Sequence, residues 1–390
     1  MLAYLPLPLG HFGLIRPVDL QVFRAAGVSA MHGYGLYDEA FLDRANFHLG
    51  FTYPPFAALV MIPLAVAPIG IDLVLWTIAT VLALFVLVRI SFASAFDRVR
   101  SDGIRLVCVA AVTAVFMLTV PVGLHLGLGQ IGAFLVLACV LDVAPRTTRW
   151  PRGVLVGLAA AIKLTPALFI LHFVLTKQWR AAMTATLTML AAWLVGALAF
   201  PADSWRYFFS GTGLHFQRLG AVLGTANQSL WGTFHRALGA SGQTAWFVAV
   251  AAVALIGLVR AGTAHRHGQG LAAVTLVGLT SVLISPVSWL HHGVWLIPAI
   301  GLLVRDRRLL RSVVVAGAAL AVMLLIDPYP PHPMPLALQP WYIRYLADEA
   351  MVLVYLTLLM LVPTRGPEAE TAVASDNLST GTPSIVATSV

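Results

Sequence analysis

The chain has 390 residues, 59% of them hydrophobic and only 10% charged, with a mean hydropathy of +0.87. An ordinary globular chain carries about 25% charge, so this composition excludes a cytosolic enzyme, a disordered protein and a disulfide-stapled secreted fold. The net charge of +8 comes mostly from arginines scattered between apolar segments, which argues for membrane orientation and against a clustered nucleic-acid-binding face.

Read from the start, Met1–Val18 is too short and too rich in Pro and Gly to span a bilayer. It is not a signal peptide either, because no basic region precedes its apolar run. Residues 1–70 read as a first outer loop with juxtamembrane helices, and an outward loop requires a preceding span. Either a first helix is missing ahead of this sequence or the amino terminus is exported unaided; the missing helix is the favoured reading. Within the loop, FTYPPFAALVMIPLAVAP is broken by Pro54, Pro55, Pro63 and Pro68. Pro suits a first helical turn but breaks an interior. The helix after Pro55 is therefore about 8–12 residues, or ~12–18 Å, too short for a ~30 Å core. It is expected to lie along the outer membrane surface.

Apolar segments follow at about Ile71–Phe92, Leu106–Leu124, Ile131–Val143, Val154–Leu175, Ala181–Phe200, Thr244–Leu258, Leu271–Ile284, His292–Val304, Ser312–Ile326 and Met351–Val362. Val154–Leu175 is interrupted by Lys163 and Pro166 and reads as two short helices, giving about 11 crossings. Sixteen of the 24 Lys and Arg residues then fall on one side and seven on the other, with Lys163 left within the membrane. The positive-inside rule makes the sixteen-cation side cytoplasmic. Segments near 1–70, 121–130, 201–243, 285–291 and 327–348 are then outward, and residues 366–390 read as a disordered cytoplasmic tail. The two cysteines, Cys108 and Cys139, sit in apolar runs as packing residues. No internal repeat is evident, which weakens the case for a carrier built from inverted halves.

The unusual polar residues gather on the outward side. Asp19 in PVDLQVF is either a helix N-cap or a functional carboxylate; Asp38, Glu39 and Asp43 sit in a more hydrophilic setting and read as solvated. Lys163, in GLAAAIKLTPALF, is costly within a membrane and hence a functional candidate, unless it snorkels from a helix junction. A cation at a junction of short helices is also what an anionic lipid headgroup requires. His291 and His292 are adjacent, so they point about 100° apart on a helix and make a poor two-His chelate; metal-binding helices space them by four. Asn227-Gln228-Ser229 forms a glycosylation-acceptor pattern, a cap for a helix at Leu230–Leu238, or a sugar-binding group. Gln130 in GLGQIG and the set Pro340-Trp341-Tyr342 are also outward, though Trp and Tyr favour membrane interfaces for generic reasons.

Taken in order, VDLQVF (18–23), LYD (36–38), FTYPPFAALV (51–60), GQIG (129–132), GLAAAIKLTPALF (157–169), NQSLWG (227–232), SPVSWLHHGVWLIP (285–298) and PWY (340–342) resemble a known family. It is glycosyltransferase family 87, the polyprenol-phosphate-mannose-dependent α-1,2-mannosyltransferases of actinobacteria. The resemblance implies an all-α polytopic GT-C fold over residues 1–365. It also implies a multi-pass plasma-membrane protein with its site on the extracytoplasmic side. The FTYPPF, NQS and SWLHHGVW stretches look most like the enzymes of phosphatidylinositol mannoside synthesis; a related member acts on lipomannan. Two departures stand out: the family's first transmembrane helix has no counterpart here, and GQIG replaces a frequent GQIN.

By that resemblance Asp19 is the general base, and a histidine of the pair, His292 in preference to His291, assists. Lys163 becomes the leading partner of the donor phosphate. Tyr53, Gln130, Asn227, Gln228, His291 and Trp341 become substrate contacts. The donor is polyprenyl-phosphate-mannose and the acceptor a phosphatidylinositol mannoside or lipomannan-type glycan. No cofactor and no metal are expected, since a phosphate leaving group already attached to lipid does not demand one. Two rivals remain at this stage: a transporter or flippase of a lipid-linked sugar, which leaves Asp19 without a task, and a transferase of another sugar from the same donor class.

Overall fold

The structure is a computed structural model that describes residues 17–45, 49–97, 99–211, 222–305, 310–325 and 348–366. Trp341 and the expected tail from residue 367 onward lie outside the described residues.

Short helices come first: α1 (Val18–His32), α2 (Glu39–Arg44), α3 (Pro55–Val60) and α4 (Ile62–Val66). Next come α5 (Ile69–Ser91), α6 (Ala93–Phe96), α7 (Asp102–Leu118), α8 (Val120–Leu128) and α9 (Gly132–Val143). The middle of the chain forms α10 (Val154–Ile162), α11 (Leu168–Leu175), α12 (Trp179–Ala199), α13 (Pro201–Phe209) and α14 (Leu230–Leu238). The remainder forms α15 (Gln243–Arg266), α16 (Gly270–Ile284), α17 (Leu296–Arg305), α18 (Leu310–Leu325) and α19 (Ala350–Leu361). Extended pairing among the described residues is limited to an isolated bridge between Asn227 and Trp289.

The prolines act as their chemistry dictates. Pro54 and Pro55 start α3, and Pro63 opens α4 after a turn at Met61, so the expected single juxtamembrane helix is two pieces of 6 and 5 residues. The expected span Leu106–Leu124 is likewise broken. Thr119 is extended ahead of Pro121, and α7 and α8 meet at 83°. Val154–Leu175 divides as its Lys and Pro predict: α10 ends at Ile162, Lys163 is extended at φ −142°, and a 3₁₀ turn at Thr165–Ala167 leads into α11.

By length and composition, three stretches among the described residues can cross a membrane: α5, α12 and the continuous Leu230–Arg266. The bent α7–α8 pair makes a fourth, and six further apolar helices run 10–17 residues. Among the described residues, helix length and composition alone thus give three or four spans, against the expected count of about 11.

Packing runs inside-out relative to a soluble protein. In α12 the buried positions are small (Ala181, Ala182, Ala185, Ala192, Gly196), while Met183, Leu187, Leu190 and Leu194 are exposed. Small residues let helix backbones approach where lipid supplies no hydrophobic drive between helices. α16 is apolar all round and buried from Ala272 to Leu283, contacting α9, α11, α15, α17 and α19. A helix with no polar face belongs in the centre.

Three local devices hold the parts that bear chemistry. α1 packs on α3, α4 and α8. It comes close to Gly129, whose φ of +73° already favours glycine and where an added Cβ would lie 2.6 Å from Leu20 Cβ. Buried Asp142 accepts the backbone N–H groups of Gly153 and Val156 at 2.9–3.0 Å, capping α10 at the end opposite Lys163. Arg236 donates to both carboxylate oxygens of buried Glu349 at 2.7 Å, tying α14 to the start of α19.

Candidate active site

Asp19 stands in the first turn of α1, two residues after Pro17. A carboxylate there is favoured by the partial positive charge of the helix N-terminus. The capping role its position alone suggests is not taken, since Pro17 occupies the N-cap and no side chain caps the helix. The Asp19 Oδ2 instead accepts a 2.6 Å hydrogen bond from Gln130 Nε2, across the close approach at Gly129. Burial pushes the Asp19 carboxyl up to about 6, against the opposing effects of the Gln130 bond and the Lys163 charge. Gln130 is itself buried, and its Oε1 has no protein partner.

Lys163 occupies the break between α10 and the 3₁₀ turn. Its Nζ donates to His292 Nε2 at 3.1 Å and lies 5.6 Å from the ring centroid of Tyr53. His292 therefore uses Nε2 as acceptor and presents a neutral ring. It belongs to a 3₁₀ segment, Leu290–Trp295, that starts after Trp289. The His291 ring stands perpendicular to that of His292, with centroids 4.7 Å apart. Tyr53 is held by edge contact with Phe23 and by Tyr37, whose hydroxyl donates to the Tyr53 carbonyl at 2.6 Å. Five expected site residues thus converge from five parts of the chain: Asp19 from α1, Tyr53 from the Pro54 turn, Gln130 from the α8–α9 turn, Lys163 from the break after α10 and His292 from the 3₁₀ segment before α17.

Asn227 and Gln228 have other work. Asn227 is fully buried; its Nδ2 donates to the carbonyls of Val222 and Pro286, and its Oδ1 accepts Ser288 N–H at 2.8 Å. Gln228 donates to the carbonyls of Thr225 and Asp348 and accepts the N–H groups of Met351 and Val352. With their side-chain amides bonded to backbone, the pair clamps the Ser285–Trp289 loop and caps α19. Ser229 is the N-cap of α14, accepting Gly232 N–H at 3.1 Å. That is the helix expected at Leu230–Leu238.

Two residues escaped the sequence reading. His125, buried in α8, bonds the carbonyl of His291, and buried Asp203 at the start of α13 accepts the Leu36 N–H. Neither lies in a recognisable motif. A buried histidine in an apolar helix resembles a packing residue until its partner from a distant segment is visible. No group of three or more His, Cys, Asp or Glu side chains able to hold a metal occurs among the described residues.

Residues 51–286 match glycosyltransferase family 87. A polyprenol-phosphate-mannose-dependent α-(1-2)-phosphatidylinositol mannoside mannosyltransferase of Mycobacterium tuberculosis is 32% identical over 335 residues, 81% of this chain and 78% of that one. The chain belongs to glycosyltransferase family 87. A second member, the α-(1-2)-phosphatidylinositol pentamannoside mannosyltransferase of Mycolicibacterium smegmatis, is 37% identical over 289 residues, 72% of this chain and 68% of its own. No solved structure matches the chain significantly. The family 87 match takes in Tyr53, Gln130, Lys163, Asn227 and Gln228; Asp19 precedes it and the His291–His292 pair follows it. Membership makes this a membrane-embedded glycosyltransferase, and the fold now places the residues outside the match beside those within it.

Proposed function

We propose that the protein transfers mannose from polyprenyl-phosphate-mannose to a mannosylated lipid acceptor, of the phosphatidylinositol mannoside or lipomannan type, forming an α-1,2 linkage with inversion. The observation that carries this reading is the convergence of a carboxylate with raised affinity for a proton, Asp19, and a cation with a neutral histidine, Lys163 and His292. Direct displacement at an anomeric carbon needs those two functions on opposite sides of the sugar.

Asp19 takes the proton of the acceptor hydroxyl as its oxygen bonds to the anomeric carbon. A positioned base contributes typically 10²–10⁴-fold, most effectively with a pKa near the working pH. The bond from that carbon to the phosphate oxygen breaks, and the leaving polyprenyl phosphate gains negative charge beside Lys163. A preorganised cation stabilises charge where it develops, and His292 holds the ammonium in place. Gln130 fixes the carboxylate through Oδ2. The aromatic face of Tyr53 flanks Lys163 and offers a surface for the donor sugar.

The site faces the extracytoplasmic side of the plasma membrane. The distribution of cations, sixteen against seven, supports that orientation. The test uses membranes carrying the chain, radiolabelled polyprenyl-phosphate-mannose and a phosphatidylinositol mannoside acceptor. A new lipid that loses its label to an α-1,2-mannosidase, and is absent with Asp19→Asn, is the expected result. Movement of intact donor across the membrane without a covalent product would instead identify a carrier.

A further inference from the structure

His125 joins the two halves of the candidate site. It is wholly buried and four bonds meet on it. Its backbone carbonyl accepts the N–H of Gln130 at 3.0 Å, fixing the residue that holds Asp19. The carbonyl also receives the N–H of Gly129, whose left-handed conformation ends α8. On the ring side, Nδ1 lies 3.2 Å from the carbonyl of His291, and Nε2 lies 3.1 Å from the backbone N of Ala133. Gly132 makes room for the ring, because an added Cβ there would stand 3.0 Å from His125 Cε1.

Those partners leave one protonation pattern. A backbone carbonyl only accepts, so Nδ1 carries the hydrogen. A backbone N–H only donates, so Nε2 carries none. Ala133 lies in the first turn of α9, whose N–H groups have no partner within the helix; the ring supplies one. A protonated ring would turn Nε2–H against Ala133 N–H, so the neutral form is required.

We infer that His125 is a positioning residue, a neutral Nδ1–H histidine that sets the spacing between the Asp19–Gln130 half of the site and the Lys163–His292 half. It touches neither half through its reacting atoms. It acts through the main chain, at Gln130 on one side and at His291, next to His292, on the other. The inference rests on the reading of the site as a glycosyl-transfer centre. Loss of the His125 bonds lets the Leu290–Trp295 turn shift against the α8–α9 turn, and a misplacement of about 1 Å can cost on the order of 10²-fold in rate.

The test uses the full chain in lipid nanodiscs, labelled with ring-¹⁵N histidine. His125 and His292 signals are assigned by their loss in His125→Asn and His292→Asn. His125 is expected to show a protonated Nδ1 and a bare Nε2, and His125→Leu to displace the His292 Nε2 signal from its hydrogen-bonded position. His125→Asn, which keeps a donor near the Nδ1 site, should leave that signal close to its original place. In the transfer assay His125→Leu should lose at least tenfold in kcat and His125→Asn should recover most of it. An Nε2–H or doubly protonated His125, or a His292 signal unmoved by His125→Leu, overturns the inference. Should His125→Leu fail to fold, the protonation pattern of the unsubstituted chain and the His125→Asn kinetics still decide it. Absence of mannosyl transfer by the unsubstituted chain would sink the functional reading, while the His125 and His292 signals report separately on the positioning.

Discussion

Replacing Asp19 with Asn should abolish transfer and, at neutral pH, stabilise the protein. Burial raises the carboxyl from 3.8 to about 6, so the folded state holds this proton more tightly than the unfolded chain does. Stability therefore falls as pH rises from about 4 to 6 and stays reduced above that range. The shift of about 2 units at about 1.4 kcal/mol each makes the ionised carboxylate cost about 3 kcal/mol at pH 7.5. The same linkage leaves about 1 kcal/mol at pH 4.5. An Asn side chain keeps an oxygen to accept the Gln130 bond but carries no charge to desolvate. With an unfolding entropy of about 2.1 cal/mol/K per residue, about 3 kcal/mol corresponds to roughly 4 °C for a chain of this length. Thermal unfolding in nanodiscs, followed by tryptophan fluorescence at pH 7.5 and 4.5, measures the gap. A variant that melts at or below the unsubstituted chain at pH 7.5, or a gap equal at both pH values, would refute the claim that function holds this carboxylate at a cost to stability.

Lys163→Met should lower kcat by about 10²–10³-fold, the usual effect of removing one preorganised group from developing charge; steady-state transfer with saturating donor is the check. Gln228→Leu removes the partners of four backbone groups. With each buried orphan costing about 1–3 kcal/mol, it should lower the melting temperature and the amount of folded protein. The KM for acceptor in the folded fraction should stay unchanged, whereas a raised KM with normal stability would mean Gln228 contacts the sugar. Transfer should survive EDTA in full; loss of activity restored by Mg²⁺ or Mn²⁺ would mean a metal takes part.

The chemistry was more legible in the sequence than the architecture. Lys163 and Pro166 interrupt an apolar run in a way that forces a helix break, and the break places the lysine beside His292. Asp19 and Gln130 stand 111 residues apart, and their bond became visible only when Gly129 brought α1 against the α8–α9 turn. The backbone partners of Asn227 and Gln228, contributed from near Pro286 and Met351, were not legible, because an amide that binds sugar and one that caps backbone look the same in sequence. The break in the expected span Leu106–Leu124 was hidden for a related reason: hydropathy sees apolar length but not the 83° turn at Thr119.

The central claim is that Asp19, ionised, is the base for mannosyl transfer, and the dependence of kcat/KM on pH tests it most directly. The purified chain should lose activity on an acidic limb with a midpoint near 6. Gln130→Leu removes the hydrogen bond that lowers this value and should carry the limb to higher pH. A profile flat down to pH 5, or a limb unmoved by Gln130→Leu, would contradict the assignment of the base.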